Sequence, residues 1–102
     1  MKTTIRGLSV HYEVLGQGPE TALFLHGWAA PVTAYQPVLA LLARRFRVVA
    51  FDMPGVGGTD EPPAPLTLDD YVAFTLDFCR ELGIDRAAVV CHSHGGRIAV
   101  RL

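Results

Sequence analysis

The residues that most constrain how this chain can fold are its last seventeen, Arg86 to Leu102, and within them Cys91-His92-Ser93-His94-Gly95-Gly96. Ala87-Ala88-Val89-Val90 reads as a short buried strand, and Arg97 to Leu102 as the opening of a helix. A strand that passes straight into a helix must reverse direction within a few residues, and small residues beside the turn let the two backbones pass closely. Ser93 is thereby held at the tip with its hydroxyl exposed. The backbone N–H of His94 falls at the N-terminus of the following helix, where partial positive charge accumulates.

The rest of the chain alternates strand and helix. Thr3 to Arg6 and Leu8 to Leu15 are β-rich runs around a turn at Gly7, and they predict an antiparallel hairpin that ends at Gly16-Gln17-Gly18-Pro19. Thr21 to Leu25 is apolar and short enough for a strand buried on both faces. Tyr35 to Ala43 has helical spacing with Pro37 in its first turn, and Arg47 to Phe51 is another buried strand. Thr67-Leu68-Asp69-Asp70 looks like a helix cap, followed by Leu68, Tyr71, Thr75, Phe78 and Leu82 on one face and a stop at Gly83. The fold class expected is α/β: an N-terminal antiparallel hairpin, then a mostly parallel sheet with flanking helices.

In such a sheet the loops at the carboxyl ends of the parallel strands share one edge. Three unusual segments should therefore meet: His26-Gly27-Trp28, Asp52 to Asp60, and His92-Ser93-His94. Gly55-Val56-Gly57 is a poor dinucleotide fingerprint, because the third glycine is missing and a proline-rich loop follows where a helix is needed. Cys91, His92 and His94 make a poor metal cluster, since adjacent strand residues point to opposite faces and no second cysteine pair completes a tetrahedron. No cofactor and no metal are expected.

Read together, these segments resemble the α/β-hydrolase superfamily, in its serine-nucleophile branch. Cys91, Ser93 and Gly95 match the Gly-x-Ser-x-Gly nucleophile elbow with Cys in place of the first Gly. Asp52, Pro54, Gly55 and Gly57 match the Asp-x-Pro-Gly-x-Gly-x-Ser loop with Thr59 in place of Ser, and His26-Gly27 is similar to the His-Gly pair after the third strand. The resemblance implies that Ser93 is the nucleophile and that the backbone N–H groups of His94 and Trp28 form an oxyanion hole. It implies that His26 is not the general base, and that Asp52, one strand too early for the triad acid, is structural. Members that open epoxides or displace halide use Asp at the elbow. Ser93 therefore implies chemistry on esters, thioesters, lactones, amides or peptides, with perhydrolysis and C–C bond hydrolysis using the same parts.

A serine hydroxyl needs a base, and the base needs an orienting group. By resemblance both belong to loops after later strands. Residues 1–102 are therefore expected to be the N-terminal portion of a single domain, a fragment inactive and marginally stable alone, with a free edge at its last strand. The principal rival is a non-catalytic small-molecule-binding protein on the same fold; a second is a nucleotide-binding module using the Gly55 to Gly58 loop. A formal net charge of −1 and a 19% charged fraction point away from nucleic acid, so the expected partner is a small-molecule substrate. Two cysteines without a disulfide pattern, and no apolar signal core at Met1 to Arg6, lead to the expectation of a cytoplasmic protein without a membrane partner.

Overall fold

A computed structural model describes residues 1–28 and 30–102. The strands are β1 (Lys2–Ile5), β2 (Leu8–Leu15), β3 (Glu20–Leu25), β4 (Phe46–Phe51) and β5 (Ala88–Cys91), and the helices are α1 (Gln36–Leu42), α2 (Leu68–Glu81) and α3 (His94–Ala99). One sheet runs in the order β1-β2-β4-β3-β5. β1 pairs with β2 and β2 with β4 antiparallel, whereas β3 pairs with β4 and with β5 in parallel. The hairpin and the parallel sheet expected from the sequence are both present. The hairpin turns on Arg6 and Gly7, each with positive φ (50° and 81°), so an arginine shares with glycine a conformation that two-residue hairpin turns demand.

The side chains of the central strands divide between two cores. Leu23 and Leu25 of β3 with Val49 and Phe51 of β4 face α2 and α3, joining Phe74, Phe78 and Ile98. Phe24, Val48 and Ala50 face the opposite side with Val32 and Leu39. This alternation is why both strands read as unbroken apolar runs. The Phe51 and Phe78 rings stack with centroids 4.1 Å apart, and Phe74, outside the predicted apolar series, is also buried.

The helix signals are realised with shifted ends. A 3-10 turn over Val32–Tyr35 leads into α1, whose first turn holds Pro37. Thr67 and Asp70 form a reciprocal capping box at the start of α2. Its end is closed by Gly83 at φ 70°, with the Ile84 N–H donating to the Cys79 carbonyl at 2.8 Å and the Gly83 N–H to that of Arg80 at 3.2 Å. α3 begins at His94, three residues before the predicted opening at Arg97.

β5 corrects one expectation. Its composition reads as that of a short buried strand, yet Ala88, Val89 and Cys91 are exposed, Val89 at 41%, as the free edge expected of this last strand allows. β5 has β3 as its one strand neighbour and lies at the sheet edge. Its apolar composition therefore reports what the strand can bury, not what it buries here. No helix among the described residues is long and apolar enough to cross a membrane.

Candidate active site

β3 and β5 lie side by side in parallel, so the segments leaving their carboxyl ends are neighbours. The His92 N–H donates to the Leu25 carbonyl at 3.1 Å, extending the ladder one residue beyond β5. Ser93 follows with φ 52° and ψ −113°, a sparsely populated conformation for a residue with a side chain. The turn is closed by the Gly95 N–H on the His92 carbonyl at 3.0 Å and the Gly96 N–H on the Ser93 carbonyl at 2.9 Å. A Cβ on Gly95 would lie 2.4 Å from the Leu25 carbonyl oxygen, the one that already accepts from His92. Only glycine lets α3 start this close to β3. Cys91 is exposed, and a Cβ on Gly96 would stand an ordinary 3.7 Å from its sulfur. The cysteine in the elbow is thus accommodated.

The loop after β3 is fastened in two directions. His26 is buried, with Nδ1 2.6 Å from the Gly27 carbonyl and Nε2 2.9 Å from the Met53 N–H. A carbonyl only accepts and an N–H only donates, so the imidazole is neutral with its proton on Nδ1. Burial holds its pKa below the ordinary value, opposed by the Gly27 hydrogen bond and the Asp52 charge and reinforced by His94. On the other side the Gly27 N–H donates to the Tyr35 hydroxyl at 2.9 Å, which is itself 3.0 Å from His92 Nδ1. Tyr35 therefore bridges the loops after β3 and β5. A Cβ on Gly27 would fall 2.8 Å from His92 Nδ1 and 3.0 Å from the Tyr35 hydroxyl, so a side chain here would push these two rings aside.

Asp52, at the end of β4, is buried and organises its own loop. Its Oδ1 accepts the Val32 N–H at 2.7 Å and its Oδ2 the Gly58 N–H at 3.0 Å. Gly57 has φ 52° and passes so near Oδ2 that a Cβ would lie 2.3 Å from it. The Thr59 hydroxyl donates to the Asp52 carbonyl at 2.7 Å and accepts the His11 N–H at 3.0 Å, so threonine serves where the related loop has serine.

The three segments do converge. His26, Trp28, Met53 to Gly57 and His94 line a cavity of about 600 Å³, closed on its far side by Pro62, Pro63, Pro65 and Tyr71. The His94 ring stands edge-on to Trp28 (centroids 5.1 Å apart) and to Tyr71 (5.5 Å). A second, open groove is lined by Trp28, Ser93, His94 and Arg97. Trp28 and His94 thus line both spaces. Among the described residues no hydrogen bond occupies the N–H of Trp28 or of His94, nor the buried His94 Nε2. Ser93 itself is exposed.

An alpha/beta hydrolase family model matches residues 22–102. The chain belongs to the alpha/beta hydrolase family. This alpha/beta hydrolase chain is 39% identical over 98 residues to a dihydrolipoyllysine-residue acetyltransferase component of an acetoin cleaving system from Cupriavidus necator, covering 96% of this chain and 26% of that protein. It is 35% identical over 98 residues to a pimeloyl-[acyl-carrier protein] methyl ester esterase from Nitrosomonas europaea, covering 92% of this chain and 35% of that one. The crystal structure of the enol-lactonase from Burkholderia xenovorans superimposes with a TM-score of 0.94 at 25% identity, over all of this chain and 40% of that one. The chain therefore spans about a quarter to two-fifths of the length of these proteins.

Within this alpha/beta hydrolase chain, Tyr35 and Tyr71 are site residues that sequence reasoning missed. Each lies on or before a helix and outside the three motif segments. Only packing brings the Tyr35 hydroxyl to His92 and the Tyr71 ring to His94.

Proposed function

We propose that this chain carries the nucleophile and oxyanion donors of a serine hydrolase acting on an ester, thioester, lactone or amide. Ser93 Oγ attacks the substrate carbonyl carbon, the N–H groups of Trp28 and His94 hold the oxygen that becomes negative, and the bond to the leaving group breaks to give an acyl-enzyme that water then hydrolyses. Two fixed donors at a developing alkoxide are what this chemistry needs, and each contributes on the order of 3 kcal/mol to the barrier. The observation that carries the reading is the backbone of Ser93, strained at φ 52° beside a helix that only Gly95 permits. Strain at a single exposed serine is supported elsewhere in the fold and has no packing role of its own.

The general base comes from outside residues 1–102 in this reading. His26 spends both ring nitrogens on the Gly27 carbonyl and the Met53 N–H, while His92 is engaged by Tyr35. His94 is set between the Trp28 and Tyr71 rings, and His11 sits in β2, beside Glu13. Without a base, turnover falls by about a millionfold. The ester and lactone relatives support a carbonyl substrate, as does serine where epoxide-opening members place aspartate.

The test is labelling by a fluorophosphonate of the longest open reading frame that includes this chain, beside Ser93→Ala. Labelling lost in the variant supports the nucleophile. Equal labelling of both, or none in a protein that folds, overturns it in favour of a non-catalytic binding protein on the same fold.

A further inference from the structure

The groove that holds Ser93 carries a positive charge with no counterpart. Ser93 and Arg97 both line the groove, with Trp28 and His94. Among the described residues Arg97 is exposed and makes neither an ion pair nor a hydrogen bond. Arg6 and Arg80 meet Asp77, and Arg101 meets Asp69, whereas Arg44, Arg45, Arg47 and Arg86, like Arg97, make no ion pair among the described residues; of these five, Arg97 is the one that lines the groove of Ser93. None of the four groove residues is acidic. Glu61 is the acidic residue that lines the other cavity.

A guanidinium is weakly hydrated and planar, and its paired N–H groups match the two oxygens of a carboxylate. Sharing the groove with Ser93, it faces the part of a substrate that lies near the reacting carbon. We propose that Arg97 is a specificity-determining residue, and that the groove takes carbonyl substrates bearing a carboxylate close to the scissile bond, such as half-esters of short dicarboxylic acids. The inference rests on Ser93 being the reacting group. The anion preference itself follows from the lining of the groove.

Binding can be read without turnover, because Trp28 is the single tryptophan of the chain and is 69% exposed in this groove. Monomethyl glutarate, an anion, and dimethyl glutarate, its neutral counterpart, are titrated against Trp28 fluorescence in the 102-residue chain, in Arg97→Gln and in Arg97→Lys. The expected result is a half-ester Kd raised about tenfold in Arg97→Gln, with a smaller rise in Arg97→Lys and an unchanged response to the diester. Circular dichroism confirms that each variant is folded. Equal half-ester affinity in all three proteins, or no response to the half-ester in the unaltered chain, overturns the proposal. Fluorophosphonate labelling separates the two readings: labelling of Ser93 without an Arg97 effect removes this inference alone, and an Arg97 effect without labelling leaves an anion-binding groove but removes the hydrolase reading and, with it, the scissile bond of this inference.

Discussion

His26 accepts the backbone N–H of Met53 on Nε2 at 2.9 Å, which ties the loop leaving β3 to the loop leaving β4 where both line the cavity shared with Tyr71. The bond requires a neutral imidazole. Burial lowers the pKa of His26 in the folded state, while in the unfolded chain it returns to about its ordinary 6.5. As pH falls below that value the unfolded state takes up the proton first, so stability is complete above pH 6.5 and declines as pH drops through the folded pKa. Urea midpoints at a series of pH values should fall on acidification. In His26→Phe that slope should flatten, because the other histidines contribute equally to both proteins. An unchanged slope would show that His26 is not the group responsible.

Gly95→Ala places a methyl group 2.4 Å from the Leu25 carbonyl oxygen, against backbone that cannot swing aside. α3 must lift from β3. The expected cost is about 1–3 kcal/mol, measured as a lower urea midpoint, with fluorophosphonate labelling lost as the elbow opens. Gly96→Ala is the control, since its nearest neighbour is the Cys91 sulfur at 3.7 Å and it should cost far less.

Ser93→Gly should stabilise the fold while abolishing labelling. The residue sits at φ 52°, where glycine bears no steric penalty. Relief of strain outweighs the added freedom of the unfolded chain, for a net gain of about 1 kcal/mol. Thermal melting of Ser93→Gly beside Ser93→Ala decides it: equal melting temperatures would mean that the turn stores no strain.

Asp52→Asn keeps the shape of the side chain but turns one acceptor into a donor, facing the N–H of either Val32 or Gly58. A buried N–H left without an acceptor costs about 1–3 kcal/mol. The variant should melt at lower temperature with its loop 52–60 more open to protease. A variant as stable as the parent would show that the loop does not depend on this carboxylate.

Tyr35→Phe removes one oxygen and leaves the Gly27 N–H unpaired next to Trp28. The stability loss should be about 1 kcal/mol, yet labelling of Ser93 in the longer protein should slow several-fold, because the loop bearing the Trp28 N–H is no longer tied to His92. Full labelling speed would place the Tyr35 bridge outside the site.

The sequence by itself determined the alternation of strand and helix, the paired glycine and serine turns, and the edge at which the special segments gather. These are local matters: apolar runs of strand length, a threonine and aspartate three apart at a helix start, and glycines where φ is positive or a strand passes within van der Waals distance. Only the tertiary structure decided the rest. It shows how much of β5, apolar as it is, stays exposed along the free edge already expected of it, because burial depends on what lies beside a strand and not on its composition. It shows that Tyr35 reaches His92 across 57 residues of chain, and that Trp28 shares a groove with Ser93 and Arg97. Such contacts arise from packing between distant segments, where no periodicity or spacing in the sequence records them.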